Sequence, residues 1–399
     1  MKNKNIIIGV SSSIAAYKAV DIVSYFRKQE QNVFVIMTKN ATEFVSPLTF
    51  QTLSNNPVAV GTFDKLHVHA TEHISLAKKA DVFCIVPATA NVIAKIANGI
   101  ADDMLTTTFL AATCPKIICP AMNTNMYQNP ITQKNMQTCQ KYGMQFVDSS
   151  SGVLACGDIG IGKLANINDV IDMIEYNLYP NTLANKKVLI TAGGTQEAID
   201  PVRIITNHST GKMGFALAKM ARSLDAKVTV IAANTQLRLN HDIQQINVTS
   251  ALEMFNTIKT IYQEYDYIIM ASAVSDYTPT NYHNEKLKKT AEELNLKLKK
   301  TTDILKYLGE NRLDKQILCG FAMESENLEQ NAALKLESKK CDLIVANNIH
   351  TQGAGFKVDT NVATLFTKNN TKQLNLMSKE DLAMIILQTL KEMEDAFNN

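Results

Sequence analysis

Residues 151–163, SGVLACGDIGIGK, set a single thiol, Cys156, among four of the chain's sixteen glycines. Glycine belongs where the backbone bends sharply or stays free to move, so this stretch reads as a loop or flap that carries a thiol. A thiol placed there is open to a chemical role, whereas one in an apolar run is a small hydrophobe. GVSSSIAAYK sets Gly9, Ser11, Ser12 and Ser13 between an apolar run and a helical one. Hydroxyls and backbone N–H groups at a helix start can hold an anion, although a plain serine N-cap explains the same residues. VIMTKNA repeats the theme with Thr38, and PATANVIAKIANGIADD repeats it with Ala88 and Thr89. Three strand ends thus offer hydroxyls and amides to one phosphorylated ligand. No GxGxxG is present, which argues against a standard dinucleotide site.

His73, in TEHISLAKKAD, shares an apolar helical face with Leu76, Ala77 and Ala80, and reads as a core histidine. His67, His69 and His73 have no carboxylate or cysteine at ligand spacing, which disfavours a metal centre and leaves any metal ligands unknown. Asn123, in PAMNTNMY after an apolar run, either caps a helix or grips a carboxylate. In TAGGTQEAIDPVRIITNHSTGKMGFALA, Asn207, Ser209 and Thr210 precede a helix opening at 211–213, a second phosphate cradle. It is no Walker A loop, because Thr206 stands where a glycine is needed and Met213 follows Lys212. EKLKK begins its lysines with Lys286 on a polar arm, either a solvated charge run or a group that closes over phosphates.

The elements that must position these groups alternate. Apolar runs at 5–10, 32–37, 81–86 and 116–119 predict strands, with helices over 14–29, near 40–53, from about 89, and near 122–141. Strands apolar throughout, alternating with helices, imply a parallel sheet covered on both faces, with ligands at the carboxyl ends of the strands. A polar, turn-rich break over 176–187 precedes a second alternation, with strands at 187–191 and 227–232 and a helix at 211–224. The stretch 277–301 is polar and lysine-rich, an exposed arm. The expectation is α/β, with two doubly wound, Rossmann-like domains over residues 1–178 and 186–399.

With 46% hydrophobic and 20% charged residues, the chain has the composition of a globular protein. Its net charge of +2 gives no case for nucleic acid or an anionic membrane. The apolar run in MKNKNIIIGV is too short for a signal peptide, and no stretch approaches the ~18 apolar residues of a membrane span. Seven cysteines without a CxxC pair favour reduced thiols and a cytoplasmic location.

Taken together and in order, GVSSSIAAYK, PATANVIAKIANGIADD, PAMNTNMY, ACGDIGIGK, AGGTQEAIDPVR, TNHSTGKMG, SDY…EKLKK and GFAMESEN resemble the bifunctional coenzyme A biosynthesis family over nearly the whole chain. That family joins a phosphopantothenoylcysteine decarboxylase to a phosphopantothenate–cysteine ligase. The resemblance implies an FMN-dependent first half, in which the cysteinyl thiol is oxidised to a thioaldehyde, CO2 leaves, and the enethiol is reduced. It makes His73 the base or orienter, Asn123 the amide that binds the substrate carboxylate, and Cys156 the clamp thiol that donates the last proton. Gly9, Ser11, Ser12, Ser13, Thr38, Ala88 and Thr89 would serve the cofactor. The family commonly carries glycine where Ser12 stands, so a hydroxyl here would crowd or contact the flavin phosphate.

For the second half, the resemblance implies activation of 4'-phosphopantothenate by CTP as an acyl-cytidylate, attack by the cysteine amine, release of CMP, and a need for Mg2+. Asn207 matches the asparagine linked to that intermediate, and Lys286 the lysine needed for turnover. Asp276, Phe321, Lys335 and Lys339 match nucleotide contacts. The resemblance also implies a homo-oligomer, with trimers of one half and dimers of the other building a dodecamer. The rival readings are a protein with one silent half and a non-catalytic regulatory subunit. The presence of both residue sets favours two working sites.

Overall fold

The computed structural model describes residues 3–62, 72–153, 159–179, 181–239, 242–288, 294–324, 326–348, 350, 355 and 358–398. It divides into two compact units, Met1–Tyr179 and Pro180–Asn399.

The first unit is built on β1 (Asn5–Val10), β2 (Asn32–Met37), β3 (Val58–Ala59), β4 (Val82–Ala88), β5 (Lys116–Pro120) and β6 (Gln145–Phe146). All pair in parallel, in the order β3-β2-β1-β4-β5-β6. Apolar side chains alternate between two cores. Ile6, Ile8 and Cys84 face the helices Tyr17–Lys28, Pro47–Ser54 and Ile167–Asn177, and Ile7, Phe83 and Ile85 face Glu72–Lys79, Ala90–Ala97, Met104–Ala111 and Pro130–Lys141. Burial on both faces is why these strands read as continuous apolar runs. The helices predicted near 40–53 and near 122–141 are each broken at a proline. Pro47 opens its helix behind Ser46, and Pro130 opens its helix behind Asn129, whose Oδ1 accepts the Ile131 N–H at 2.9 Å.

The glycine-rich stretch is not a loop throughout. Its flanks form β7 (Ser150–Val153) and β8 (Ile159–Lys163), an antiparallel hairpin. Cys156, like His67 and His69, lies outside the described residues.

The second unit contains β9 (Lys187–Gly193), β10 (Gln196–Ala198), β11 (Ile204–Thr206), β12 (Lys227–Ala233), β13 (Gln244–Val248), β14 (Tyr267–Met270), β15 (Tyr277–Pro279), β16 (Leu298–Lys300), β17 (Ile317–Glu324), β18 (Leu343–Asn348), β19 (Thr360–Asn361), β20 (Thr364–Phe366), β21 (Thr371–Gln373) and β22 (Met377–Ser378). The main sheet runs β13-β12-β9-β14-β17-β18-β20-β21, parallel as far as β18 and antiparallel beyond it. Its first six strands take the same order as the first unit's, with the first strand between the second and the fourth. The expected polar arm is anchored by strand pairing, because β15 and β16 form an antiparallel stem.

Each sheet reverses its winding beside its first strand, between β1 and β4 and between β9 and β14. In open α/β sheets ligands bind in that crevice, beyond the carboxyl ends of the strands. Among the described residues, no helix is long and apolar enough to cross a membrane. Cys84 and Cys119 are fully buried with their thiols 3.7 Å apart, and burial pushes the Cys84 thiol well above its ordinary value, as expected of hydrophobic packing.

Candidate active sites

In the first unit the loops after β1, β2, β4 and β5 meet at one sheet edge. Ser11 is fully buried and stitches two of them together. Its hydroxyl donates to Pro87 O at 2.8 Å and accepts the Thr89 N–H at 3.0 Å. Ser13 Oγ accepts the Ala15 N–H at 3.3 Å, and Thr89 Oγ1 caps the helix Ala90–Ala97 by accepting the Val92 N–H at 3.4 Å. The bland capping role foreseen for these hydroxyls is therefore real. Ser12 is half-buried, and its hydroxyl has no partner among the described residues. Thr38 ends β2 with Oγ1 shielded from solvent and no hydrogen bond, a donor in want of an acceptor. Ala88 is buried at the end of β4. Gly9 is glycine for packing, because a Cβ there would lie 2.5 Å from Leu105. The far end of PATANVIAKIANGIADD is structural: Lys95 pairs with Asp102 and Asp103, and Asp103 forms a capping box with Thr106.

Asn123 caps the helix Thr124–Gln128, with its Oδ1 accepting the Asn125 N–H at 2.8 Å. The β7–β8 hairpin is laid directly on this loop, where Met122 N–H donates to Gly162 O at 2.9 Å. A Cβ on Gly162, whose φ is +123°, would sit 2.5 Å from Met122 O, and one on Gly160 would sit 2.4 Å from Thr124 Oγ1. These two glycines serve close approach rather than mobility, and they hold the β7–β8 hairpin against the Asn123 loop. His73 is half-buried on the helix Glu72–Lys79, one turn before the buried Leu76 and Ala77.

In the second unit a cavity of about 620 Å3 opens at the carboxyl edge. Five lysines line it, Lys212, Lys300, Lys335, Lys339 and Lys379, against two aspartates, Asp276 and Asp303. Asp276, Phe321, Lys335 and Lys339 of the expected set are brought together here. Lys335 Nζ donates to Phe321 O at 2.9 Å, and Lys339 pairs with Asp303. Burial raises the Asp303 carboxyl, but the bonds from Lys339 and from the Lys306 N–H outweigh it and hold its pKa below the ordinary value. The crevice is stitched as in the first unit. Ser275 N–H donates to Thr195 Oγ1 at 2.9 Å, and Ser272 Oγ donates to Thr191 Oγ1 at 2.8 Å.

Asn207 and Lys286 do not line the cavity. Asn207 sits on its rim, its Nδ2 donating to Ala273 O at 3.2 Å. Lys286 is exposed on the arm. Lys379, unforeseen in the sequence, is 4% exposed and gives its ammonium to the Gly355 and Val358 carbonyls. Burial, then the charge of Lys212, lowers its pKa. The tight turn expected of AGGT is present at Gly193, and Gly214 joins it in a dispersed glycine set. Gly193 turns at φ +86° with Ala233 O filling its Cβ position, and Gly214 lets the helix Lys212–Ser223 touch β9 at Ala192. The β10–β11 hairpin separates the two, which hides their spacing.

Two doubly wound units, each with hydroxyl-bearing loops stitched across its switch point, define a protein with two mononucleotide-type sites. Residues 1–179 match the family model Flavoprotein, and residues 183–393 match that of the DNA/pantothenate metabolism flavoprotein C-terminal domain. The coenzyme A biosynthesis bifunctional protein CoaBC of Bacillus subtilis is 45% identical over 395 residues, which is 98% of this chain and 97% of that one. Its counterpart in Borreliella burgdorferi is 42% identical over 393 residues, 98% and 99% of the two chains. A crystal structure of the C-terminal domain of such a protein covers 54% of this chain and 99% of its own, at 37% identity and a TM-score of 0.47. The chain belongs to the family of coenzyme A biosynthesis bifunctional proteins.

Proposed function

We propose that this chain joins cysteine to 4'-phosphopantothenate at the expense of CTP, through residues 186–399, and decarboxylates the product to 4'-phosphopantetheine with FMN, through residues 1–178. The observation that carries the reading is convergence. Ser12, Ser13, Thr38, Thr89 and Asn123 ride on the carboxyl ends of four neighbouring strands, and a lysine-rich cavity occupies the same edge of the second sheet.

The unpartnered Thr38 hydroxyl and the half-buried Ser12 fit a phosphorylated, hydrogen-bonding cofactor. When bound, FMN supplies the two-electron oxidation of the thiol and the return of those electrons. His73 takes or orients the thiol proton, Asn123 holds the carboxylate that leaves as CO2, and Cys156 gives a proton to the reduced product. In the ligase half Phe321 offers a face to the base, and Lys335 and Lys339 meet phosphate charge beside Asp276. Asn207 holds the activated acyl group at the rim, and Lys286 closes from the arm. Mg2+ enters on the triphosphate, whose charge it neutralises. We place the protein in the cytoplasm as a homo-oligomer. Free thiols support the location, and exposed Ile131, Tyr142, Val202 and Tyr282 support the assembly.

The test is one incubation of the full chain with 4'-phosphopantothenate, cysteine, CTP and Mg2+, followed by mass spectrometry. Stoichiometric CMP, CO2 and 4'-phosphopantetheine are expected. A folded, yellow protein that makes none of them refutes the reading and brings a binding role forward.

A further inference from the structure

Lys286 stands outside the cavity wall, so its reach depends on what holds the arm. We propose that Asp200 is a positioning residue for Lys286, fixing the stretch 283–287 from which that side chain starts. The inference rests on the reading of Lys286 given above.

Asp200 has a fully buried side chain, and its two oxygens do different things. Oδ1 accepts the N–H groups of Val202 and Arg203, each at 2.8 Å, and so closes the DPVR turn. Oδ2 accepts Arg203 Nη1 at 2.5 Å and the Leu287 N–H at 3.1 Å. The same Arg203 Nη1 donates to Leu287 O at 3.0 Å. Both backbone polar groups of Leu287 are thus held by one ion pair. Three residues before Lys286, the His283 N–H donates to Ile199 O at 3.0 Å. Lys286 is bracketed by two anchors on residues 199–203, while its own side chain stays exposed.

The residue type argues the same way. An asparagine or serine oxygen suffices to close such a turn. A buried carboxylate is costly unless every lone pair is used, and the second oxygen is used on the arm. Burial raises this carboxyl, and the donors from Leu287, Val202 and Arg203 together pull it below its ordinary pKa.

Asp200→Asn in the full chain separates the two duties. The amide keeps an oxygen for the turn and sets an NH2 against two donors, the Leu287 N–H and the Arg203 guanidinium. CMP formation is expected to fall roughly 10- to 100-fold, in kcat far more than in KM for CTP, since the cavity lining is untouched. Trypsin is expected to cut after Lys286 and Lys288 sooner than in the wild type. In a Lys286→Ala background, Asp200→Asn is expected to cost nothing further. Arg203→Lys, which keeps a positive charge beside Asp200 but removes the guanidinium bond to Leu287 O, gives the same comparison if Asp200→Asn does not fold. Unchanged cleavage, or losses that multiply with an impaired Lys286→Ala, overturn the anchor alone. Full activity in Lys286→Ala overturns the reading of Lys286, and the proposal with it.

Discussion

Replacing Gly162 with alanine puts a methyl carbon 2.5 Å from the Met122 carbonyl oxygen, at a backbone φ of +123°. An ordinary carbon–oxygen contact is about 3.3–3.6 Å. Two backbone segments joined by the 2.9 Å bond from Met122 N–H to Gly162 O must therefore part by roughly an ångström. Left-handed strain costs about 1–3 kcal/mol and overpacking about as much, for a total of about 2–6 kcal/mol. An isolated hairpin is itself only marginally stable, so β7–β8 detaches from the Asn123 loop before the unit unfolds. Gly99→Ala is the control. It has φ +69° with nothing within 4 Å of the added carbon, and so carries the strain without the clash. With 4'-phosphopantothenate, cysteine and CTP supplied, Gly162→Ala is expected to release CO2 at least about tenfold more slowly while CMP forms at the wild-type rate. Gly99→Ala is expected to leave both rates alone. If the two variants match in CO2 release and melting temperature, the close approach does not hold the β7–β8 hairpin on the Asn123 loop, and the prediction fails.

Thr38→Val removes a buried hydroxyl that has no partner, so the flavin-free protein is expected to melt no lower than wild type while FMN binding, read by fluorescence titration, weakens; unchanged affinity contradicts the fit. Ser11→Ala leaves the Pro87 carbonyl and the Thr89 N–H unpaired and is expected to destabilise the first unit by about 1–3 kcal/mol in urea unfolding. The Asp303 carboxyl is depressed in the folded state, so it stabilises above its unfolded pKa and that contribution is lost as pH falls through the folded value. Between about pH 5 and about pH 3, wild-type stability is expected to fall more steeply than that of Asp303→Asn, and parallel curves contradict the Lys339 pairing.

Legibility followed burial. β1 and β2 each run through five non-polar residues after an asparagine, and their limits could be read directly from the chain. β3 and β6, with two residues each, are too short to show any period. The hairpins β7–β8, β10–β11 and β15–β16 carry glycine, charge or polar groups because they face solvent or neighbouring loops, and no alternation marks them. The serines and Thr38 could be found because short polar residues directly follow apolar runs. Lys379 could not be. A lysine opening an amphipathic helix reads as surface, and only the carbonyls of Gly355 and Val358 bring it inside. Gly160 and Gly162 were legible as special, but their reason, contact with the Met122–Thr124 backbone and side chain, depends on a strand distant in sequence.

The central claim is that two successive reactions occupy separate sites on one chain. The most direct measurement follows CMP, CO2 and 4'-phosphopantetheine together in wild type, Lys286→Ala and Cys156→Ser. Lys286→Ala is expected to form CMP from 4'-phosphopantothenate only at a small, measurable residual rate yet to decarboxylate supplied 4'-phosphopantothenoylcysteine at the wild-type rate. Cys156→Ser is expected to form CMP normally, to release CO2 about once per bound FMN unless dissolved oxygen reoxidises the reduced flavin, and to accumulate the unreduced enethiol. If either substitution abolishes both reactions in a folded protein, or neither affects any product, the division into two sites is contradicted.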